Sequence, residues 1–235
     1  MHVPNNKNYI HHRLPGIGAT IRELVFGMED GMVSTMGAIT GIAVGSNEPK
    51  IVILSGAVII AVESISMGLG SYLSNKSEQE VNQNILSEER EEISNYPEEE
   101  KKEMFGLFVT DGWSKNMAQK MTEEVSKDKK LMLREMAYRE LKVHTEHANS
   151  PWKNGLVMLF SYIFGGAIPL LPYLFSTDLG VVVPISISIT LVALFILGSI
   201  TTRYSKRKWW KAGLEMFLLA TFAAVVGFGI GSLVG

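Results

Sequence analysis

Cysteine is absent from all 235 residues, which removes disulfides, thiolate metal sites and cysteine nucleophiles from consideration. No Walker A string and no catalytic triad occurs, so neither an ATP-driven pump nor an enzyme is expected. The acidic helical stretches hold no E-x-x-H pair, which argues against a ferritin-like di-iron oxidase. The N-terminal "MHVPNNKNYIHHRLPG" lacks the apolar core of a signal peptide, so no cleavable secretory signal is expected. Nothing in the composition calls for a nucleic-acid partner.

Charge is scarce as well, though only in places. The chain is 46% hydrophobic and 20% charged, with a net charge of −2. Residues 75–150 hold 17 of the 24 acidic and 12 of the 22 basic residues, a local charge of −5. The flanking segments are therefore nearly uncharged, and the chain reads as three parts: 1–74, 75–150 and 151–235.

Spanning a bilayer takes about 20 mostly apolar residues. Four runs meet that plainly, at 51–73, 155–175, 179–202 and 212–235. A fifth, "LVFGMEDGMVSTMGAITGIAVG" at 24–45, has the length and the small residues but carries Glu29 and Asp30. Five membrane helices are expected. Arg203, Lys206, Arg207, Lys208 and Lys211 crowd one connection, Arg13 and Arg22 precede the first span, and Lys76 follows the second. By the positive-inside rule the N-terminus, residues 75–150 and the 203–211 loop are expected on the cytoplasmic side. The middle segment reads as soluble helices. "YLSNKSEQEVNQNILSEEREEISNY" can prolong the second span, Pro97 begins a new helix, and Gly112 and "SKD" at 126–128 mark further boundaries. Met104, Phe105, Leu107, Phe108, Leu131, Leu133 and Met136 supply its apolar face. The expected fold is an all-α membrane protein with this small helical domain inserted between the second and third spans.

A few residues stand out as chemistry. Glu63 is the only ionisable group in the 51–73 run, and Met67 follows it by one turn on the same face. Asp30 lies in the preceding span. A carboxylate at membrane depth faces a cavity, a partner or a pathway, because its burial in hydrocarbon costs several kcal/mol (about 2.5–3.5 on insertion scales). Two such acids and a thioether on consecutive helices fit a divalent-cation path, with the sulfur favouring a transition metal. Met28, Met32 and Met36 recur every four residues near Asp30, a stripe whose ordinary role is packing. In the middle segment Glu89/Glu92 and Glu100/Glu103 stand at spacing three, and Met136 and Glu140 one turn apart. Such acidic runs are commonly solvated faces; near Met136 and Glu140 they can instead collect metal. His144 and His147 read as surface or membrane-interface residues rather than ligands. Ala223, Gly227 and Gly231 form a small-x-x-x-small ridge that calls for a close helix contact.

The strings "EDGMVSTMGAITGIAVG", "ESISMGLGSYLSNKSEQE" and "GLEMFLLATFAAVVGFGIG" resemble the vacuolar iron transporter family over nearly the whole chain. The resemblance implies five transmembrane helices, a homodimer, a cytoplasmic metal-binding domain and proton-coupled export of Fe²⁺ or Mn²⁺ from the cytosol, with no tightly bound cofactor. Residue by residue, it puts the translocation aspartate at Asp30 and the pathway methionine at Met67. Domain metal ligands fall at Glu89, Glu92, Glu100, Glu103, Met136 and Glu140. The plant-type members carry further carboxylates where this chain has Ala19 and Ile59; Glu23 and Glu63 stand one turn later in each case. A second domain methionine is replaced by Ala137. The implied membrane is the plasma membrane in a prokaryote and the vacuolar membrane in a eukaryote. The leading reading is a transporter in which Glu63 binds metal when ionised and a proton when metal leaves. A metal-sensing or scaffold protein and a passive cation channel are the alternatives.

Overall fold

The structure, a computed structural model, describes residues 17–142, 150–205 and 207–234. Arg13, Lys206, His144 and His147, and the side chains of Ala19 and Arg203, lie outside the described residues. Among the described residues eight α-helices follow one another: α1 (Ile17–Ser46), α2 (Pro49–Asn95), α3 (Pro97–Thr110), α4 (Lys115–Val125), α5 (Lys129–Arg139), α6 (Pro151–Leu170), α7 (Leu179–Ser205) and α8 (Trp209–Val234). A 3₁₀ turn, Leu171–Leu174, closes α6 where Pro169 and Pro172 withdraw backbone donors. No strand occurs among the described residues. The chain divides into two compact units, Met1–Leu73 with Ser150–Gly235, and Ser74–Asn149.

In the first unit, α2, α6 with its 3₁₀ turn, α7 and α8 are each long and apolar enough to cross a membrane. The expected first span, now α1, is long enough at 30 residues but is not among those four. Its acids, glycines and threonines dilute its apolarity. The packing accounts for that composition, because α1 lies against α6, α7 and α8 rather than against open surroundings. Met32 and Met36 are buried among Leu194, Leu197, Ala220 and Ala224, so the methionine stripe is core. On another face the α1 backbone runs hard against its neighbours. A Cβ at Gly41 would sit 2.7 Å from the Gly227 carbonyl oxygen, and one at Gly31 would strike the Tyr162 carbonyl. The ridge Ala223, Gly227 and Gly231 thus meets Gly37, Gly41 and Gly45 inside one chain. The contact expected from the ridge is intramolecular.

In the second unit, the end of α2 packs with α3, α4 and α5 around Ile93, Met104, Phe108, Ala118, Val125, Met132 and Met136. Its helix ends carry their own instructions. Pro97 opens α3 with Glu98, Glu99 and Glu100 in the first turn, where negative charge offsets the helix dipole. Ser114 and Asp128 cap α4 and α5 by accepting from Met117 N and Lys130 N. Gly112 takes φ +98°, a left-handed turn that favours glycine. Arg139 stacks 4.5 Å over the Phe108 ring and pairs with Glu135 and Asp111, which pins α5 to the end of α3.

Candidate metal-transport site

The helices α1 and α2 are joined by only two residues, so they run antiparallel, and two polar rungs link them. At the first, Glu23 is buried at 5% exposure; Ser71 Oγ donates to its Oε2 at 2.9 Å and Arg22 to its Oε1 at 3.0 Å. At the second, Asp30 and Glu63 are electrostatic neighbours. Seven residues on α1 and eight on α2 separate the rungs, roughly 10–12 Å at helical rise. Met67 sits midway along α2, one turn from both Glu63 and Ser71 on the same face, and is partly buried. The four candidates of the pathway are therefore arranged as a ladder, acid to thioether to acid pair.

Asp30 is half-buried and lines a groove of about 800 Å³ between α1 and α8, together with Ser34, Gly37, Ala38, Gly41 and Phe222. Glu63 is exposed on a face of α2 that also presents Val62 and Ile65. Ile59, where plant-type relatives carry an acid, is partly buried one turn before Glu63. Glu29 neighbours Asp30 and, less strongly, Glu215 of α8, whose carboxylate Arg207 holds at 2.9 Å.

The acidic residues of the second unit separate into two sets. Glu88 and Glu98 face outward and are engaged by Asn84 and Lys101. Glu89, Glu92, Glu100, Glu103 and Glu140, from three helices, lie within each other's electrostatic reach. Burial, then Glu140, Glu100 and Glu92, push the Glu89 carboxyl up to about 8. Burial and Glu103 raise Glu100, although a hydrogen bond with Glu89 opposes the rise. Burial, then Glu103, Glu100 and Glu92, raise Glu140. Glu89 and Glu100 repel each other once both are ionised, which favours the protonated form of Glu89. Glu89 Oε1 and Glu100 Oε2 are buried and make no hydrogen bond. Among the described residues no three His, Cys, Asp or Glu side chains are yet arranged to hold a metal ion. Met136 is fully buried in the core of this unit, and Ala137 beside it is buried as well.

Ser34, Ser71 and Tyr162 were not among the residues singled out from sequence. Ser71 had a signal, since it follows Met67 by one turn. Ser34 had the same relation to Asp30. Tyr162, 128 residues from Ser34, had none.

Four helices long and apolar enough to cross a bilayer make this a multi-pass membrane protein. The model of the VIT family matches residues 21–232, and the chain belongs to that family of transporters. It is similar to vacuolar iron transporter 1 of Oryza sativa subsp. japonica, at 26% identity over 95% of this chain and 90% of the relative. The vacuolar iron transporter of Centaurea cyanus is 28% identical over 96% of this chain and 91% of its own. That of Plasmodium berghei is 30% identical over 97% and 86%.

Proposed function

We propose that this protein is a secondary transporter that moves Fe²⁺, and Mn²⁺ with it, out of the cytosol in exchange for protons. The observation that carries this reading is the placement of Asp30, a half-buried acid of α1 that lines the α1–α8 groove and has Glu63 of α2 as an electrostatic neighbour. Neighbouring carboxylates repel unless a cation or a proton offsets their charge, so metal and proton compete for them. Met67 adds a soft donor one turn away, which favours a transition metal over Mg²⁺ or Ca²⁺.

On this reading α1 is the fifth span. Its acids are tolerated because α6, α7 and α8 cover it and because its open side forms the pathway. The acidic unit lies in the cytosol and gathers cation at Glu89, Glu92, Glu100, Glu103 and Glu140, with Met136 in the core of the same unit. The two buried acceptor oxygens without partners support that role, since such atoms cost about 1–3 kcal/mol each unless something binds them. The protein acts as a homodimer. Glu63 is exposed in the single chain between Val62 and Ile65, and a carboxylate does not face lipid alone. A second copy laid against this face of α2 supplies a polar neighbour.

Uptake of Fe²⁺ into proteoliposomes, with and without an imposed pH difference, tests the whole. Metal flux matched by opposite proton movement is expected. Flux indifferent to the proton gradient would mean a passive channel, and binding without flux a sensor or scaffold. A chain that stays monomeric in nanodiscs while transporting would remove the dimer.

A further inference from the structure

Ser34 lies one turn beyond Asp30 on α1, and both line the groove beside α8. Behind Ser34 stands Tyr162 of α6, fully buried, with its hydroxyl 2.5 Å from Ser34 Oγ. The same hydroxyl is an electrostatic neighbour of Asp30 and Glu63. Thr35 Oγ1 is buried and makes no hydrogen bond of ordinary geometry, yet it is close enough to the Tyr162 hydroxyl to interact with it. Three hydroxyls from two helices thus form a row that ends in the groove next to Asp30.

The row has little room to move. A Cβ on Gly31 would collide with the Tyr162 carbonyl, and one on Gly166 would come within 2.9 Å of Thr35 Oγ1. The α1 and α6 backbones are therefore locked together on both sides of the row.

We propose that Ser34 is an oxygen ligand of the translocated cation beside Asp30, and that Tyr162 is the positioning residue that orients it. This rests on the reading of Asp30 as a pathway group. With a cation in the groove, Ser34 donates its hydrogen to the Tyr162 oxygen and Tyr162 donates toward Thr35. Both Ser34 lone pairs then face the cation. Side chains at i and i+4 stand about 5–6 Å apart at Cβ, a gap that one cation spans with oxygens about 2–2.5 Å away. Without the cation the row turns over: Tyr162 donates to Ser34, and Ser34 donates to the Asp30 carboxylate. No proton enters or leaves the row, so the site gains a ligand without gaining a charge in a low dielectric. A neutral hydroxyl oxygen favours the harder ions of the transition series, whereas the Met67 thioether favours the softer. Ser34 is therefore a selectivity residue.

The test is initial uptake by the full-length protein in proteoliposomes against Mn²⁺ and Cd²⁺ concentration. Ser34→Ala is expected to raise KM for Mn²⁺ about tenfold and KM for Cd²⁺ less than twofold, with maximal rates nearly kept. Ser34→Thr restores the Mn²⁺ value. Tyr162→Phe keeps the ring and raises the Mn²⁺ KM in the same sense, and the double substitution is no worse than Ser34→Ala alone, because Tyr162 acts through Ser34. An unchanged Mn²⁺/Cd²⁺ ratio in Ser34→Ala overturns the proposal, as does a fall in maximal rate equal for both metals. Additive effects of the two substitutions overturn the role of Tyr162. Should Tyr162→Phe fail to fold, the Ser34→Ala and Ser34→Thr comparison still decides. Asp30→Asn run alongside separates the two layers: normal uptake in that variant defeats the reading beneath, whereas lost uptake with an indifferent Ser34→Ala defeats this proposal only.

Discussion

Ser71 Oγ donates to Glu23 Oε2 at 2.9 Å, which ties the N-terminal part of α1 to α2 through a buried carboxylate. Arg22, largely exposed, supplies the counter-charge on the other oxygen. Glu23 is thus held between two donors before any cation reaches it. Replacing it with alanine should lower stability by about 1–3 kcal/mol, the usual cost of breaking a buried charged hydrogen bond. Glu23→Gln keeps an acceptor for Ser71 and should recover more than half of that. Thermal unfolding of the detergent-solubilised protein is the measurement, and an unchanged midpoint in Glu23→Ala would show that the rung is ornamental.

The proton on Glu89 makes a pH prediction with a definite sign. Its carboxyl titrates near 4.5 in an unfolded chain and at about 8 when folded. Between those values the folded unit holds a proton that the unfolded chain has released, so its stability falls as pH rises through that window. Metal must displace the same proton, so affinity should grow from pH 6 toward pH 8 and then level off. Calorimetric Mn²⁺ titration in buffers of different ionisation enthalpy should detect proton release at pH 7. Glu89→Gln should abolish that release and weaken binding. Equal proton release in wild type and Glu89→Gln would place the coupled acid elsewhere in the cluster.

Much of this arrangement is legible in the chain, and the illegible part has a physical cause. Pro97, Gly112 and the 126–128 turn mark helix boundaries because their effects are local: a missing donor, a left-handed φ, an N-cap carboxylate. Met104, Phe108 and Met136 announce the small core because they are apolar residues in an otherwise charged segment. The α1 helix is harder, since hydropathy describes a helix facing lipid and α1 is covered by its neighbours. The Gly227 ridge shows that a close contact exists but not with what, because a small-residue stripe has no address; here it meets Gly41 of the same chain. The Tyr162–Ser34 bond joins residues far apart in sequence, and no periodicity carries such a pairing.

The α1–α8 contact can be tested glycine by glycine. Gly41 has no room for a methyl group, with the Gly227 carbonyl oxygen 2.7 Å from where its Cβ would lie. Gly229, two residues from Gly227 on α8, has nothing within 4 Å. Gly41→Ala should therefore destabilise by about 1–3 kcal/mol through overpacking. Gly229→Ala should be neutral or slightly stabilising, because alanine restricts the unfolded chain. Equal midpoints for the two variants in thermal unfolding would contradict the packing.

Asp30, Glu63 and Met67 should each fail in a different way. Asp30→Asn removes the charge that offsets a partly dehydrated cation beside the α1–α8 groove, so flux should fall to background. Met67→Leu keeps volume and apolarity but deletes the sulfur, so Fe²⁺ transport should drop while the unfolding midpoint moves by less than about 1.5 kcal/mol in equivalent stability. Glu63→Gln keeps shape and loses titration. Whatever flux remains should then run down the metal gradient alone, indifferent to an imposed pH difference, because the carboxylate neighbouring Asp30 is gone. Proteoliposome uptake with and without that pH difference reads all three. Wild-type proton coupling in Glu63→Gln would move the coupling group to Asp30 itself or to Glu23, the other acid on the ladder, whose ties to Arg22 and Ser71 would then have to loosen during transport.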